Sequence, residues 1–213
     1  MRFKYILFDL DGTLTDPQEG ICKSINHALS YYGMEKPLNE LTKYIGPPLL
    51  NSFAELVGEE NAQDAIVKYR ERFSVVGLYE NEIYPNVKDT LSLLKEHGYI
   101  LCTASSKPQI YVEKILQHFD IAQYFTIIGG STLDGKICEK EDVINLVLEQ
   151  LNADKQDVVM VGDTRFDLIG AEKMGLSAIG VTYGFASKEE LCQYPNITLI
   201  DDISEITDIL QVH

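Results

Sequence analysis

Apolar residues along this chain follow two alternating rhythms. Short runs rich in β-branched and aromatic residues, YILCTAS (99–105), YFTII (124–128), DVVMVGD (157–163) and LSAIGVTYG (176–184), read as strands. Between them, residues 86–97, 108–118, 139–151 and 166–174 repeat apolar positions at spacings of three and four, which predicts helices with one buried face. A last strand near 197–200 precedes a helix near 203–210, and an opening strand over 4–10 belongs with the others. Strands alternating with helices in this way predict an α/β fold, a parallel sheet covered by helices on both faces.

Residues 17 to about 82 break the alternation. EGICKSINHALSYYG, PPLLNSFAELVG and ENAQDAIVKYRERFSVVG each read as an amphipathic helix, with no strand-like run between them. Turn residues mark the edges, Asp16-Pro17 at the start and Tyr84-Pro85-Asn86 at the end. The predicted organisation is an α/β core of residues 1–16 plus 83–213, carrying a helical insertion over 17–82. Ligands in open α/β sheets gather at the carboxyl ends of strands, so an insertion after an acid-tipped strand is expected to be a cap over those acids. A helical lobe packed elsewhere is the alternative.

Bulk properties narrow the function. At 213 residues the chain suits one domain with a smaller insertion. Its 18 Lys and Arg against 33 Asp and Glu give a net charge of −15, a surface that repels nucleic-acid polymers and anionic membranes. Cys22, Cys102, Cys138 and Cys192 stand far apart with no CxxC pair, as expected of free thiols in a reducing compartment. Asp9 interrupts the first apolar run too early for a signal peptide, and no stretch is long enough to span a bilayer, so a cytoplasmic protein is expected. In that setting Asn196-Ile197-Thr198 is a chance match to the glycosylation pattern.

The chemistry gathers at strand ends. Residues two apart on a strand share a side, so Asp9 and Asp11 can face one site where the first strand gives way to Gly12. In VVMVGDTRFD, Asp163 ends a strand and Asp167 follows one helical turn later. Four mutually repelling acids at two neighbouring strand ends call for a cation, and oxygen ligands without His or Cys favour Mg²⁺. Ser105 and Ser106, in the strand-to-helix turn of LCTASSKP, can offer hydroxyl and backbone N–H groups to an anion. Lys140, at the start of the helix EKEDVINLVLEQL, can bring positive charge to the same place.

DxDGT after an apolar strand, a Ser-x-Lys turn, a later Lys and GDxxxD, in that order, resemble the four motifs of the haloacid dehalogenase superfamily. The resemblance covers essentially the whole chain and implies a Rossmann-like parallel sheet with an inserted all-α cap. DGTLTDPQEGI, YIGPPL, YENEIYP, SSKP, GSTLDGK and YGFASKEEL further resemble its phosphoglycolate phosphatase-like or 5′-nucleotidase-like group. The resemblance implies Mg²⁺-dependent hydrolysis of a small phosphorylated metabolite by a monomer or weak homodimer. Asp9 would be the nucleophile that becomes phosphorylated, and Asp11 the proton shuttle. Asp9, Asp163 and the Asp11 main chain would hold the metal, with Asp167 orienting the shell. Ser105 and Lys140 would bind the transferring phosphoryl group, although Lys140 is flanked by acids in CEKED, which keeps Lys136 open for that role.

Specificity is expected in the insertion. Its aromatic residues suit a helical core or a surface for a nucleobase. The KYIGPPL loop offers Lys43, Tyr44 and Gly46, and Arg70 or Arg72 could clamp a carboxylate. Nucleoside 5′-monophosphates are favoured slightly over phosphoglycolate. A phosphosugar mutase, which would use the same four motifs, and a non-catalytic phosphate-binding module remain competing readings.

Overall fold

The computed structural model describes residues 3–194 and 197–212. In chain order the elements are β1 (Tyr5–Phe8), β2 (Thr15–Asp16), α1 (Gln18–Ser30), α2 (Leu38–Leu41), α3 (Leu49–Val57) and α4 (Ala62–Arg72). Then come β3 (Glu82–Ile83), α5 (Val87–Glu96), β4 (Ile100–Pro108), α6 (Gln109–His118), β5 (Phe125–Ser131) and α7 (Lys140–Leu151). The chain closes with β6 (Val158–Gly162), α8 (Arg165–Met174), β7 (Ser177–Val181), α9 (Lys188–Leu191), β8 (Thr198–Ile200) and α10 (Ile206–Leu210). Two compact units result, Met1–Thr15 with Ile83–His213, and Asp16–Glu82. Asn196 of the glycosylation pattern lies outside the described residues.

The first unit is the α/β fold expected, a six-stranded sheet in the order β5-β4-β1-β6-β7-β8 flanked by helices. Every pairing described is parallel. Leu7 in β1 stands opposite Cys102 in β4 and Met160 in β6. These three pack with Val143, Ile144 and Val147 of α7 and Ala171 of α8 into one core, all fully buried. β-Branched, nearly continuous apolar strands are what a sheet covered on both faces requires. The chain steps from β1 to β4 and β5, then returns to β6 and proceeds the other way. The order therefore reverses between β1 and β6, the place where strand ends leave a crevice for ligands.

Strand lengths depart from the sequence reading at two places. β4 continues through Ser106 to Pro108, and β5 through Gly129 to Ser131, because their ladder persists past a register irregularity between Ser105 and Pro108. Helix α6 starts only at Gln109, so Ser105 and Ser106 lie in the strand and not at a helix N-terminus as expected. Burial pushes the Cys22 and Cys102 thiols up to about 11, in line with inert packing groups. Among the described residues no helix is long and apolar enough to cross a membrane.

The second unit packs α1, α3 and α4 around an aromatic centre. Phe53 meets Tyr69 at 5.9 Å between ring centroids, and Tyr69 stacks on Phe73 at 5.1 Å. These residues of the insertion thus form its own core. Phe73–Gly77 is a wide π-type turn against which α1 lies very close: a β-carbon on Gly20 would stand 1.9 Å from the Gly77 carbonyl oxygen. In an unconstrained helix interior Gly→Ala stabilises by about 0.5–1 kcal/mol. Here Gly20→Ala is expected to destabilise by about 1–3 kcal/mol through overpacking, so the sign of the shift in a urea titration checks the close approach.

Candidate active site

The site is built outward from the end of β1. The ladder continues one residue beyond the strand, with Asp9 N–H donating to the Val161 carbonyl at 2.9 Å. Alternation puts Asp9 on the same face as Leu7, the face covered by α7. The first residue of α7 is Lys140, whose Nζ lies 3.0 Å from Asp9 Oδ1 and 2.8 Å from Asp167 Oδ1. Its hydrogen bond goes to the Ala104 carbonyl in β4 at 3.0 Å. Lys140 is 4% exposed and Asp167 fully buried, so this is a desolvated cluster and not a surface pair. Burial alone would depress the Lys140 ammonium, but the Asp167 and Asp9 carboxylates outweigh it and hold it above its ordinary value.

Asp163 follows directly on β6, with a carboxylate oxygen within 4.8 Å of one of Asp9. Phe185 N–H donates to its Oδ2 at 2.8 Å and Thr13 Oγ1 to its Oδ1 at 3.3 Å. Gly12 takes φ +84° in the turn after β1, and a β-carbon there would stand 2.1 Å from Asp163 Oδ2, so the DGT glycine permits both the turn and the contact. Asp167 closes a capping box on α8, accepting from Thr164 N–H at 3.0 Å and Thr164 Oγ1 at 2.9 Å. Burial pushes both carboxyls above the usual range, Asp163 strongly, helped by the Asp167 and Asp9 charges.

Asp11 behaves differently. Its Oδ2 pairs with Lys107 Nζ at 2.7 Å, within a nearly buried contact. Asp9, Asp163 and Asp167 offer oxygens that all lie within 4.8 Å of one another, and the Asp11 side chain is not in that group. Asp167, expected only to orient the shell, stands with Asp9 and Asp163 as a third carboxylate, whereas the Asp11 carboxylate faces Lys107; the contribution expected of Asp11 is from its main chain. Burial raises the Asp11 carboxyl even against the Lys107 ammonium.

The fit to a divalent cation follows from these contacts. Asp9 Oδ1 and Asp167 Oδ1 are buried, and the Lys140 ammonium stands 3.0 and 2.8 Å from them. Four carboxyl groups face two ammonium groups, so full ionisation would leave an excess of two negative charges, and burial opposes that ionisation until a cation offsets it. An all-oxygen donor set with that residual charge suits Mg²⁺.

Of the other residues singled out, Ser105 is buried one step beyond Ala104, its Oγ accepting from Lys107 N–H at 3.3 Å. Ser106 is half-buried and takes part in none of these contacts. Lys136 is highly exposed and pairs with Asp134 at 3.0 Å, which leaves Lys140 as the lysine of this cluster. Tyr44 and Gly46 belong to the helical unit. The Tyr44 ring is buried there and its hydroxyl donates to Glu55 at 2.8 Å, so it is committed within its own unit and not offered as the free contact expected. Arg72 is likewise committed, forking onto Glu80 at 2.7 and 2.9 Å. Lys107 and Tyr183–Phe185 lie within SSKP and YGFASKEEL, stretches that carried the family resemblance, but the sequence reading assigned neither a role of its own.

Comparison with known proteins agrees with this arrangement. The family model described as haloacid dehalogenase-like hydrolase matches residues 6–181. The chain is 40% identical to a Pseudomonas aeruginosa protein named 5′-nucleotidase, over all of this chain and 98% of that one. It is 30% identical to a phosphoglycolate phosphatase of Haemophilus influenzae over 98% of this chain and 99% of that one. The crystal structure of a predicted phosphatase from Clostridium acetobutylicum superimposes with a TM-score of 0.94 at 44% identity, covering 99% of this chain and all of that one.

Proposed function

The chain belongs to the haloacid dehalogenase-like hydrolase family and is a phosphatase, and we propose that it hydrolyses small monoesters, nucleoside 5′-monophosphates before phosphoglycolate, in the cytoplasm. The observation that carries the reaction is the separation of two acids only two residues apart. Asp9 stands with Asp163, Asp167 and Lys140, whereas Asp11 stands with Lys107. This separation supports reading Asp9 as the nucleophile and Asp11 as the proton shuttle.

An Asp9 carboxylate oxygen attacks phosphorus as the bond to the ester oxygen breaks, and Asp11 gives that oxygen its proton. Water, losing a proton to Asp11, then attacks the phosphorus of the aspartyl-phosphate and releases inorganic phosphate with Asp9 regenerated. Lys140 and Ser105 neutralise and orient the phosphoryl oxygens. Mg²⁺, held by Asp9, Asp163 and Asp167, would supply the charge that draws an anionic nucleophile to an anionic ester.

The nucleotide preference is supported by the greater identity to the 5′-nucleotidase than to the phosphoglycolate phosphatase. It is also supported by the engagement of Arg72 with Glu80, which removes one candidate carboxylate clamp. The test measures phosphate release from a nucleoside 5′-monophosphate and from phosphoglycolate, with Mg²⁺ and after exhaustive chelation. We expect free phosphate, a higher kcat/KM for the nucleotide, and a loss of about 100-fold or more on chelation that added Mg²⁺ reverses. Full activity without metal, an isomerised product as a mutase would give, or a preference for phosphoglycolate would each overturn the corresponding part.

A further inference from the structure

We propose that Tyr183 is a positioning residue that holds the turn after β1 against Asp163 and thereby sets the metal affinity of the site. The inference rests on the phosphatase reading above. Tyr183 lies just past β7, and its hydroxyl donates to the Thr13 carbonyl at 2.8 Å. Its ring meets Tyr84 edge-on at 4.9 Å, and Tyr84 N–H donates to the Leu14 carbonyl at 3.1 Å. The phenol is thus fixed on both sides of the same short turn.

The next two residues reach Asp163 directly. Phe185 N–H donates to Asp163 Oδ2 at 2.8 Å. Gly184 passes so close that a β-carbon on it would stand 2.3 Å from Asp163 Cβ and 2.5 Å from the Gly12 carbonyl oxygen. From the other side, Thr13 Oγ1 holds Asp163 Oδ1 at 3.3 Å. Both oxygens of this carboxylate are therefore oriented by two segments, 12–13 and 184–185, and the Tyr183 hydroxyl is a direct bond between them. Groups that orient metal-binding carboxylates without touching the metal typically carry about 10–100-fold of the affinity.

The experiment compares Tyr183→Phe with Tyr99→Phe. Tyr99 donates its buried hydroxyl to a main-chain carbonyl in the same way, to Leu210 at 3.0 Å, but far along the chain from the acids. Mg²⁺ affinity is read by calorimetry and by the Mg²⁺-induced rise in Tm, alongside kcat. Tyr183→Phe is expected to weaken Mg²⁺ binding about tenfold and shrink the Tm rise, with kcat at saturating Mg²⁺ within about threefold of wild type. Tyr99→Phe is expected to lose stability while its Mg²⁺ affinity stays within about twofold of wild type. Unchanged affinity in Tyr183→Phe, or equal weakening in both variants, overturns the assignment while leaving the phosphatase reading intact. A wild-type protein that binds no Mg²⁺ overturns both.

Discussion

Asp9→Asn is expected to lower turnover by at least about 10⁴-fold, as removal of a nucleophile does, and to leave the protein as stable as wild type or more so. The amide keeps the shape of the carboxylate but cannot form the phosphorylated enzyme. Stability holds because Asp9 is buried among like charges: removing one carboxylate from the group with Asp163 and Asp167 relieves repulsion. Asp11→Asn makes the informative contrast. Its Oδ2 faces Lys107 and not the other acids, so attack by Asp9 persists while protonation of the ester oxygen fails. An alkyl phosphate should therefore lose about 10²–10⁴-fold, and a nitrophenyl phosphate, whose leaving group needs no proton, far less. Kinetics on the two esters together with a thermal melt check both variants. Equal loss on both esters in Asp11→Asn, or a loss well short of about 10⁴-fold in a deamidation-free Asp9→Asn, contradicts the division of labour.

Lys140→Met is expected to cost the metal-free protein about 3–5 kcal/mol at pH 7.5, because it leaves buried carboxylates without their cation. The Lys140 ammonium is held above its ordinary value in the folded state. Its stabilising contribution is complete below the unfolded-state value and fades only as pH rises through the higher folded one, so it is fully present at neutral pH. Asp163 and Asp167 are raised by burial, so they bind protons more tightly folded than unfolded. For them stability is greatest below the unfolded carboxylate range and declines as pH rises through the folded values. Removing Lys140 raises them further. The gap between variant and wild type should accordingly narrow from pH 7.5 toward about pH 5, as the carboxyls become neutral. Urea titrations at the two pH values in the presence of chelator measure this. A variant as stable as wild type at pH 7.5, or a gap that widens in acid, would show that Lys140 does not neutralise this cluster.

Much of this was legible in the sequence because it is carried by local pattern. The alternation of apolar runs with periodic helices fixes a parallel sheet, and Asp9, Asp163 and Lys140 sit at the ends of elements whose limits the pattern places within a few residues. β4 and β5 run longer than expected because their extra pairing, Ser105 with Gly130 and Pro108 with Ser131, is a property of two strands together. Lys107 was passed over because its meaning depends on Asp11, nearly a hundred residues earlier. Tyr183 is a further case: nothing within its own segment says that its hydroxyl will find the Thr13 carbonyl. In the insertion, spacing shows that Tyr44 and Arg72 are on helical or loop segments but not that Glu55 and Glu80 already occupy them.

The central place of β1 has a consequence for how the protein is made. The strand is made before both of its neighbours in the sheet, the segments around Cys102 and Met160. Parallel pairing over such separations pays a large loop-closure cost before any contact repays it, so the sheet forms late and slowly compared with the short-range helical packing of Asp16–Glu82. Asp9 precedes Lys140, Asp163 and Asp167 by more than a hundred residues. A nascent chain stalled before β6 therefore exposes an unpaired edge of β1, a hazard for aggregation, and carries Asp9 without Asp163 and Asp167.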